Sequence, residues 1–276
     1  MTMIPIFIPA RNEEPHIGDA LSRLPIEDVT VLANGCTDRT VEIARYFGAR
    51  VIERPDAGKL PALQEAIADL GKYATGPFVT LDADSVPLFS RYWVPSLLSS
   101  LKDIDKQQPA VVVGPAVFVG GPGFAANTHR TVTHYKKQFT TRKLDFQGSF
   151  AGRNMLIRPG NNDVVDTLLE LEHYWPGEDY AIRDTIVEHG GTTYKNPSPL
   201  AGVTTDAARY GNLRDTLSKT KQHALRSRLK QSYIDDRPFG ARRYFKPTDP
   251  TYTFVDLTDM PTELDATHQP QLTSEE

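Results

Sequence analysis

The sequence holds one cysteine, Cys36, in 276 residues. A single thiol excludes an intramolecular disulfide framework and fits a reducing compartment. Long hydrophobic runs are missing too: nothing approaches the roughly 18 consecutive apolar residues that a membrane-spanning helix needs. The N-terminus lacks a basic leader and a small-residue cleavage site, so Ile4-Pro5-Ile6-Phe7-Ile8 reads as a strand and not a signal peptide. There is no excess of positive charge. Lys and Arg total 31 against 35 Asp and Glu, for a net charge of -4 and a pI near 6.0. That balance argues against a wholly basic nucleic-acid binder while leaving room for a local basic face. No internal repeat is visible. What remains, 39% hydrophobic and 24% charged, is an ordinary globular chain, expected to be soluble and cytoplasmic.

What is present is alternation. Strand Met3–Pro9 leads into Ala10-Arg11-Asn12-Glu13-Glu14-Pro15 and a helix through Ile17, Ala20, Leu21 and Leu24. Strand Val29–Ala33 leads into Asn34-Gly35-Cys36-Thr37-Asp38 and a helix through Val41, Ile43, Ala44 and Phe47, closed by Gly48 in the position a C-cap glycine favours. Arg50–Arg54 is a third strand, followed by Gly58-Lys59 and a helix carrying Leu63, Ala66, Ile67 and Leu70. Strands separated by helices of this length imply βαβ units and a mainly parallel sheet.

Phe78–Leu81 is the fourth strand, and the pattern turns on it. Asp82 and Asp84 come next, at its carboxyl end, where ligands sit in an open α/β sheet. Carboxylates spaced i, i+2 there can reach a divalent ion and its phosphates from one side, and Mg²⁺ and Mn²⁺ prefer such hard oxygens. Two solvated loop aspartates, or an N-cap before Ser90, are the plainer reading.

The second half is less regular. Tyr92–Leu101 reads as helix, and Ala110–Val119 as an apolar strand broken by Gly114-Pro115. Asn127 to Lys143 is a basic helix with Tyr135 and Phe139 as a packing stripe. Beyond it lie a strand over Asn154–Ile157, a helix through Val164, Leu168 and Leu171, a helix opened by Trp175 to Tyr180 and a strand Thr192–Lys195. A long basic helix spans about 213–233, and the acidic, apolar-poor tail 257–276 is expected to be disordered.

Acidic or polar clusters thus fall at four strand ends or helix starts: Arg11–Glu14, Asn34–Asp38, Asp82–Asp84 and Glu178-Asp179. Helix-dipole preferences explain any one of them; the ordered set is harder to dismiss. In Ile8-Pro9-Ala10-Arg11-Asn12-Glu13-Glu14, Ala33-Asn34-Gly35-Cys36-Thr37-Asp38-Arg39-Thr40, Leu81-Asp82-Ala83-Asp84-Ser85, Gly152-Arg153-Asn154-Met155 and Gly177-Glu178-Asp179, the sequence resembles the GT-A fold glycosyltransferases, most closely the family 2 type. The resemblance covers about residues 3 to 195. It implies an α/β fold with a Rossmann-like nucleotide-binding half (1–105) and an acceptor-side half (106–256) in one domain.

It also implies roles. Pro9, Ala10 and Glu13 would line the nucleoside, with Glu13 or Glu14 accepting from ribose hydroxyls. Asn34 and Asp38 would touch base and ribose, Asp38 doubling as a helix N-cap. Lys59 would sit near the diphosphate, and Ala83 on the donor between the paired acids. Asp84 would ligate Mn²⁺ or Mg²⁺, with Asp82 on the ribose or a metal-bound water. Gly152, Arg153, Asn154 and Trp175 would form the acceptor and sugar pocket. Asp179 would be the general base of an inverting transfer, and Glu178 would orient the acceptor or the loop.

The chain departs from the family near its end. The Q-x-x-R-W signature is replaced by Lys219, Lys221, Gln222, His223, Arg226, Arg228 and Lys230, which speaks against a processive polysaccharide synthase. His223 completes the metal site in one reading and is a solvated helix residue in the other. Arg226 would clamp donor phosphate. Basic residues within Arg209–Lys246 and His129–Lys143 suggest a negatively charged acceptor or surface. A saccharide or lipid-linked acceptor ranks first, with peripheral membrane contact, then a hydroxylated base of nucleic acid, then a small phosphorylated metabolite. A nucleotidyltransferase would carry a Gly-rich, Arg-Lys-containing loop where Ala10–Glu14 stands. A non-catalytic sugar-nucleotide binder would not need Glu178-Asp179.

Overall fold

The computed structural model describes residues 4–55, 58–120, 124–139, 152–171 and 178–206. The first half shows the expected alternation: β1 (Ile6–Ala10), α1 (Ile17–Leu21), β2 (Val29–Asn34), α2 (Thr40–Tyr46), β3 (Arg50–Arg54), α3 (Lys59–Leu70) and β4 (Phe78–Leu81). β1, β2 and β4 are buried along their whole length. Continuous apolar strands of this kind belong to a parallel sheet covered on both faces. The side chains alternate between two cores: Ile6 and Ile8 pack with Ile17, Val79, Trp93 and Leu97, while Phe7 joins Leu63, Ile67, Phe78 and Met155. α3 lies over one face and α1 over the other.

The second half contains β5 (Ser85–Pro87), α4 (Ser90–Ser99), β6 (Ala110–Val113), β7 (Ala116–Val119), α5 (Phe124–Phe139), β8 (Asn154–Arg158), α6 (Asn162–Glu170), α7 (Glu178–Glu188), β9 (Thr192–Lys195) and β10 (Val203–Asp206). Among the described residues the main sheet has seven strands in the order β3-β2-β1-β4-β8-β6-β9. Only β8 runs against the rest, antiparallel to both β4 and β6. This is the mostly parallel mixed sheet that the resemblance implies.

Two features differ from expectation. Ala110–Val119 is not one interrupted strand: β6 stays in the main sheet and β7 joins a second, three-stranded sheet, β5-β10-β7. Gly114 and Pro115 make that break. Proline has no N–H to continue a ladder, and a Cβ at Gly114 would stand 2.2 Å from the Ala201 carbonyl and 2.4 Å from Asn154 Nδ2. The second difference is Arg130, which the basic stretch of α5 suggested as part of a cationic face. It is buried, with Nη1 donating to Asn127 Oδ1 at 3.2 Å. The helix over 213–233, the tail 257–276, and with them His223 and Arg226, lie outside the described residues, as does Trp175.

The second sheet grips the segment after β4. β10 pairs with β5 in antiparallel register, Thr205 opposite Ser85. The Asp206 N–H donates to the Asp84 carbonyl at 3.1 Å, and Ser85 Oγ meets Thr205 Oγ1 at 2.8 Å. The turn carrying both acids is therefore fixed on two sides.

Candidate active site

Two loops form the wall over the carboxyl ends of β1 and β2. Asn12 occupies the left-handed region at φ 54°, a conformation asparagine tolerates better than most residues. Its Oδ1 accepts from the Thr37 N–H at 2.8 Å. Asp38 Oδ1 accepts from the Thr40 N–H and hydroxyl, at 3.0 and 2.5 Å, and Oδ2 accepts from the Glu14 N–H at 3.0 Å. Despite partial burial, these hydrogen bonds hold the Asp38 carboxyl below the usual carboxylate range. The Glu13 N–H donates to Thr40 Oγ1 at 2.8 Å, and Glu14 pairs with Arg39 at 2.8 Å. The polar groups of one loop thus hold the other in place.

The junction beyond β4 is different in kind. Lys59 opens α3 and places Nζ 2.8 Å from Asp82 Oδ1 and 2.6 Å from Glu178 Oε1. Burial disfavours this ammonium, but the two carboxylates outweigh burial and raise its pKa above the ordinary lysine value. Beside it, Asp179 Oδ2 accepts from the Gly152 N–H and Oδ1 from its neighbour Tyr180 N–H, both at 3.0 Å. Burial, reinforced by the Glu178 charge, pushes the Asp179 carboxyl up to about 6, against the opposing pull of Lys59 and the two N–H donors. Glycine at 152 permits this approach: a Cβ there would lie 2.6 Å from the Asp179 Cβ.

Three elements distant in sequence therefore bring carboxylates and a cation together at one end of the sheet. Asp84 is almost fully buried, next to Ser85, whose Oγ stands 3.3 Å from Asp84 Oδ1. Across from it, the Asp82 N–H donates to the Arg153 carbonyl at 3.0 Å. Among the described residues no group of three or more His, Cys, Asp or Glu forms a metal cage on its own. Two hard carboxylates at one strand end fit an ion that completes its shell with phosphate oxygens and water.

A family model for glycosyl transferase family 2 matches residues 6–160, more than half of the chain. The chain belongs to glycosyl transferase family 2. A curated relative, the 4,4'-diaponeurosporenoate glycosyltransferase of Staphylococcus aureus (strain USA300), is 45% identical over 56 residues. That match covers 18% of this chain and spans only 15% of the relative's length. Among solved structures, glucosyl-3-phosphoglycerate synthase from Mycobacterium tuberculosis in complex with Mg²⁺ and UDP is similar, with 19% identity and a TM-score of 0.52. The match covers 86% of this chain and 80% of that one. The same enzyme with Mn²⁺, UDP and phosphoglyceric acid gives a TM-score of 0.51 at 19% identity over the same shares. At that identity the likeness speaks for the fold.

In this glycosyltransferase several residues expected at the substrate surface belong to the interior instead. Asn154 is fully buried. Its Oδ1 accepts from the Trp93 indole N–H at 3.0 Å and its Nδ2 donates to the Ala201 carbonyl at 2.8 Å, so the amide joins α4, β8 and the turn Pro199–Ala201 that leads into β10. Asn34 is likewise buried, with Nδ2 donating to the Ala10 and Leu32 carbonyls and Oδ1 accepting from the Gly58 N–H. The Ala83 methyl packs in the core with Leu81 and Trp93. Pro9 and Ala10 are buried on β1.

Arg153, just before β8, has a property that the sequence does not signal. Its guanidinium stacks on the Phe118 ring of β7, 4.9 Å from the centroid. Its Nε and Nη1 are buried without a hydrogen-bond partner. Asp206, on the unforeseen strand β10, also adjoins the site, with Oδ2 3.4 Å from His16 Nδ1. The four-residue run Val203–Asp206 gave no signal strong enough to mark it as a strand, and so none to mark Asp206.

Proposed function

We propose that the enzyme transfers a sugar from a nucleoside-diphosphate donor to a hydroxyl of a small acceptor bearing an anionic group, with inversion at the anomeric carbon. The observation that carries this reading is Asp179: a carboxylate held by two N–H donors, pushed up to about 6, beside the acidic end of β4. A general base works best with a pKa near the operating pH. The acceptor oxygen forms its bond to the anomeric carbon as the bond from that carbon to the diphosphate oxygen breaks. The acceptor proton passes to Asp179, and the electron pair leaves with the diphosphate.

Asp82 and Asp84 are the residues that would hold Mn²⁺ or Mg²⁺. A divalent ion there, bound with the diphosphate, supplies neutralisation of the charge that builds on the leaving group. The similar mycobacterial synthase structures, which contain Mg²⁺ or Mn²⁺ with UDP, support that choice of ion and a uridine donor. The loops after β1 and β2 enclose the nucleoside. Glu178 orients the acceptor side through Lys59.

Arg153 supports the anionic acceptor. Guanidinium nitrogens withdrawn from water normally pair with a carboxylate or phosphate, and half-buried Arg153 stacks on an aromatic face with its buried Nε and Nη1 left unmatched. The phosphoglyceric acid named with the similar synthase belongs to the same chemical class. The test is a hydrolysis screen: the enzyme with Mn²⁺ and each common sugar nucleotide, with diphosphate release as the readout. Release from one donor, accelerated by a phosphorylated or carboxylated hydroxy-acceptor, is expected. No turnover of any donor would refute the reading, and a product of retained configuration would remove Asp179 as the base.

A further inference from the structure

Lys59 is an unfavourable residue for its position. It opens α3, where the unsatisfied N–H groups carry partial positive charge, and the first turn of α3 contains no acid to offset it. The offset comes from elsewhere in the fold. Asp82 arrives from the end of β4 and Glu178 from the start of α7, and both reach the same nitrogen. Helix stability does not explain a lysine here; the two carboxylates do.

We propose that Lys59 is a resident counter-ion that keeps the Asp82–Asp84 pair from capturing a divalent cation alone, so that metal enters together with the nucleoside diphosphate. This rests on the reading that Asp82 and Asp84 hold the metal. An ammonium 2.8 Å from Asp82 Oδ1 already satisfies much of that carboxylate, and it repels a second cation placed beside it. A bare ion therefore meets a half-neutralised pair with few oxygens to offer. A diphosphate brings negative charge and hard oxygen ligands, which restores the balance for a divalent ion next to the ammonium. Glu178 is what makes the exchange tolerable. When an ion takes hold of Asp82, Lys59 still has a carboxylate 2.6 Å away and is not left as an unpaired charge. Because Glu178 adjoins Asp179, the same nitrogen joins the donor end of the site to the helix bearing the base.

The experiment is a Mn²⁺ titration of the full chain, monitored by the electron paramagnetic resonance signal of free Mn²⁺, with and without UDP. Wild type is expected to bind Mn²⁺ weakly alone and much more tightly with UDP. Lys59→Met and Lys59→Gln should bind Mn²⁺ alone at least about tenfold more tightly, because a unit charge a few ångströms away has been removed. Their gain on adding UDP should shrink. Lys59→Arg keeps the charge and should keep the wild-type pattern. Thermal unfolding of each variant shows that a folded protein was titrated, and glutamine, able to hydrogen-bond both carboxylates, serves if methionine unfolds the site.

Asp84→Asn separates the two ideas. If it retains UDP-dependent Mn²⁺ binding, the metal reading fails and the counter-ion role falls with it. If it loses that binding while both Lys59 variants bind bare Mn²⁺ no more tightly than wild type, the counter-ion role alone is overturned.

Discussion

The loops after β1 and β2 and the junction after β4 look alike in sequence: short acidic clusters at strand ends. Their structures are opposites. In the loops, polar side chains tie the two segments together, Asn12 to Thr37, Asp38 to the Glu14 N–H and Glu14 to Arg39, while Asp38 also accepts from Thr40 within its own loop. Hydrogen bonding there lowers the Asp38 pKa, which keeps a structural carboxylate charged. At the junction, like charges crowd together, a cation is shared between two acids, and burial raises the Asp179 pKa toward the neutral range. Groups that stabilise the fold have their pKa moved away from neutrality, while a group that exchanges protons has it moved closer. On the proposed reading the first region is scaffold and the second carries the chemistry, a division that experiment can break.

The largest effect belongs to Asp84. Replacing it with Ala should abolish turnover and metal-dependent UDP binding while leaving the far-ultraviolet circular dichroism spectrum intact. Full activity of wild type in excess chelator would overturn the same assignment from the other side.

Next comes Asp179. Asp179→Asn keeps the volume but not the proton acceptance, so kcat should fall by about 10²–10⁴-fold with donor affinity nearly unchanged. The same carboxyl sets the pH profile: it must be ionised to act, so kcat/KM should be level above pH about 6 and fall as pH drops below that value. Stability should move the opposite way. A carboxyl whose folded pKa lies above its unfolded one binds its proton more readily when folded. Its stabilising contribution is therefore complete below the ordinary carboxylate range and lost as pH rises through about 6. The Tm of wild type, measured against that of Asp179→Asn, should decline between pH 4 and pH 7. A constant difference would mean that Asp179 titrates as an ordinary surface acid.

Much of this was legible in the sequence, and the boundary has physical causes. β3, β4 and β9 match their sequence ranges, because short β-prone runs bounded by turns or glycine admit few alternatives. The second sheet was not legible: β5 has three residues, β7 alternates buried and exposed, and β10 pairs with strands far away in the chain. The acidic clusters were found as clusters, but which carboxylates would be partnered was not, since Glu14 and Asp38 meet partners set by loop packing. Asn34 and Asn154 looked like ligands because a buried asparagine bridging carbonyls and an exposed one reading a substrate are the same letter. The resemblance puts Lys59 near phosphate, and the fold sets it between Asp82 and Glu178.

Gly152 gives a smaller effect that sharpens the junction side. Gly152→Ala would put a methyl 2.6 Å from the Asp179 Cβ, so α7 or the strand entry must shift. A displacement of about 1 Å at a base can lower the rate by about 100-fold. The loss should appear in kcat, with UDP binding retained, and the apparent pKa of the kcat/KM profile should move because the Gly152 N–H no longer reaches the carboxylate. Loss of UDP binding to the same degree would mean that Gly152 supports the donor and not the base.

The smallest effect should come from the loop pair Glu14–Arg39, and it is the sharpest test of whether that region is scaffold. Arg39 is mostly exposed, with 68% of its side chain accessible, and Glu14 is one-third accessible, so water and salt screen their attraction. The loops also keep the Asn12–Thr37 and Asp38–Thr40 hydrogen bonds when the pair is removed. Arg39→Ala and Glu14→Gln should therefore leave kcat unchanged and move UDP affinity by no more than about threefold, with the difference vanishing at high salt. Asp38→Ala is the contrast within the same loops. It removes the acceptor of three hydrogen bonds, two of them from Thr40 at the start of α2, although the N-cap position itself is held by Arg39 and not, as the sequence suggests, by Asp38; stability should fall by about 1 kcal/mol, the usual net worth of a hydrogen bond. Its rate per folded molecule should stay near that of wild type. If Arg39→Ala instead reduced kcat as strongly as Gly152→Ala, the ion pair would have to act on the reacting groups, and the division between the two acidic regions would fail.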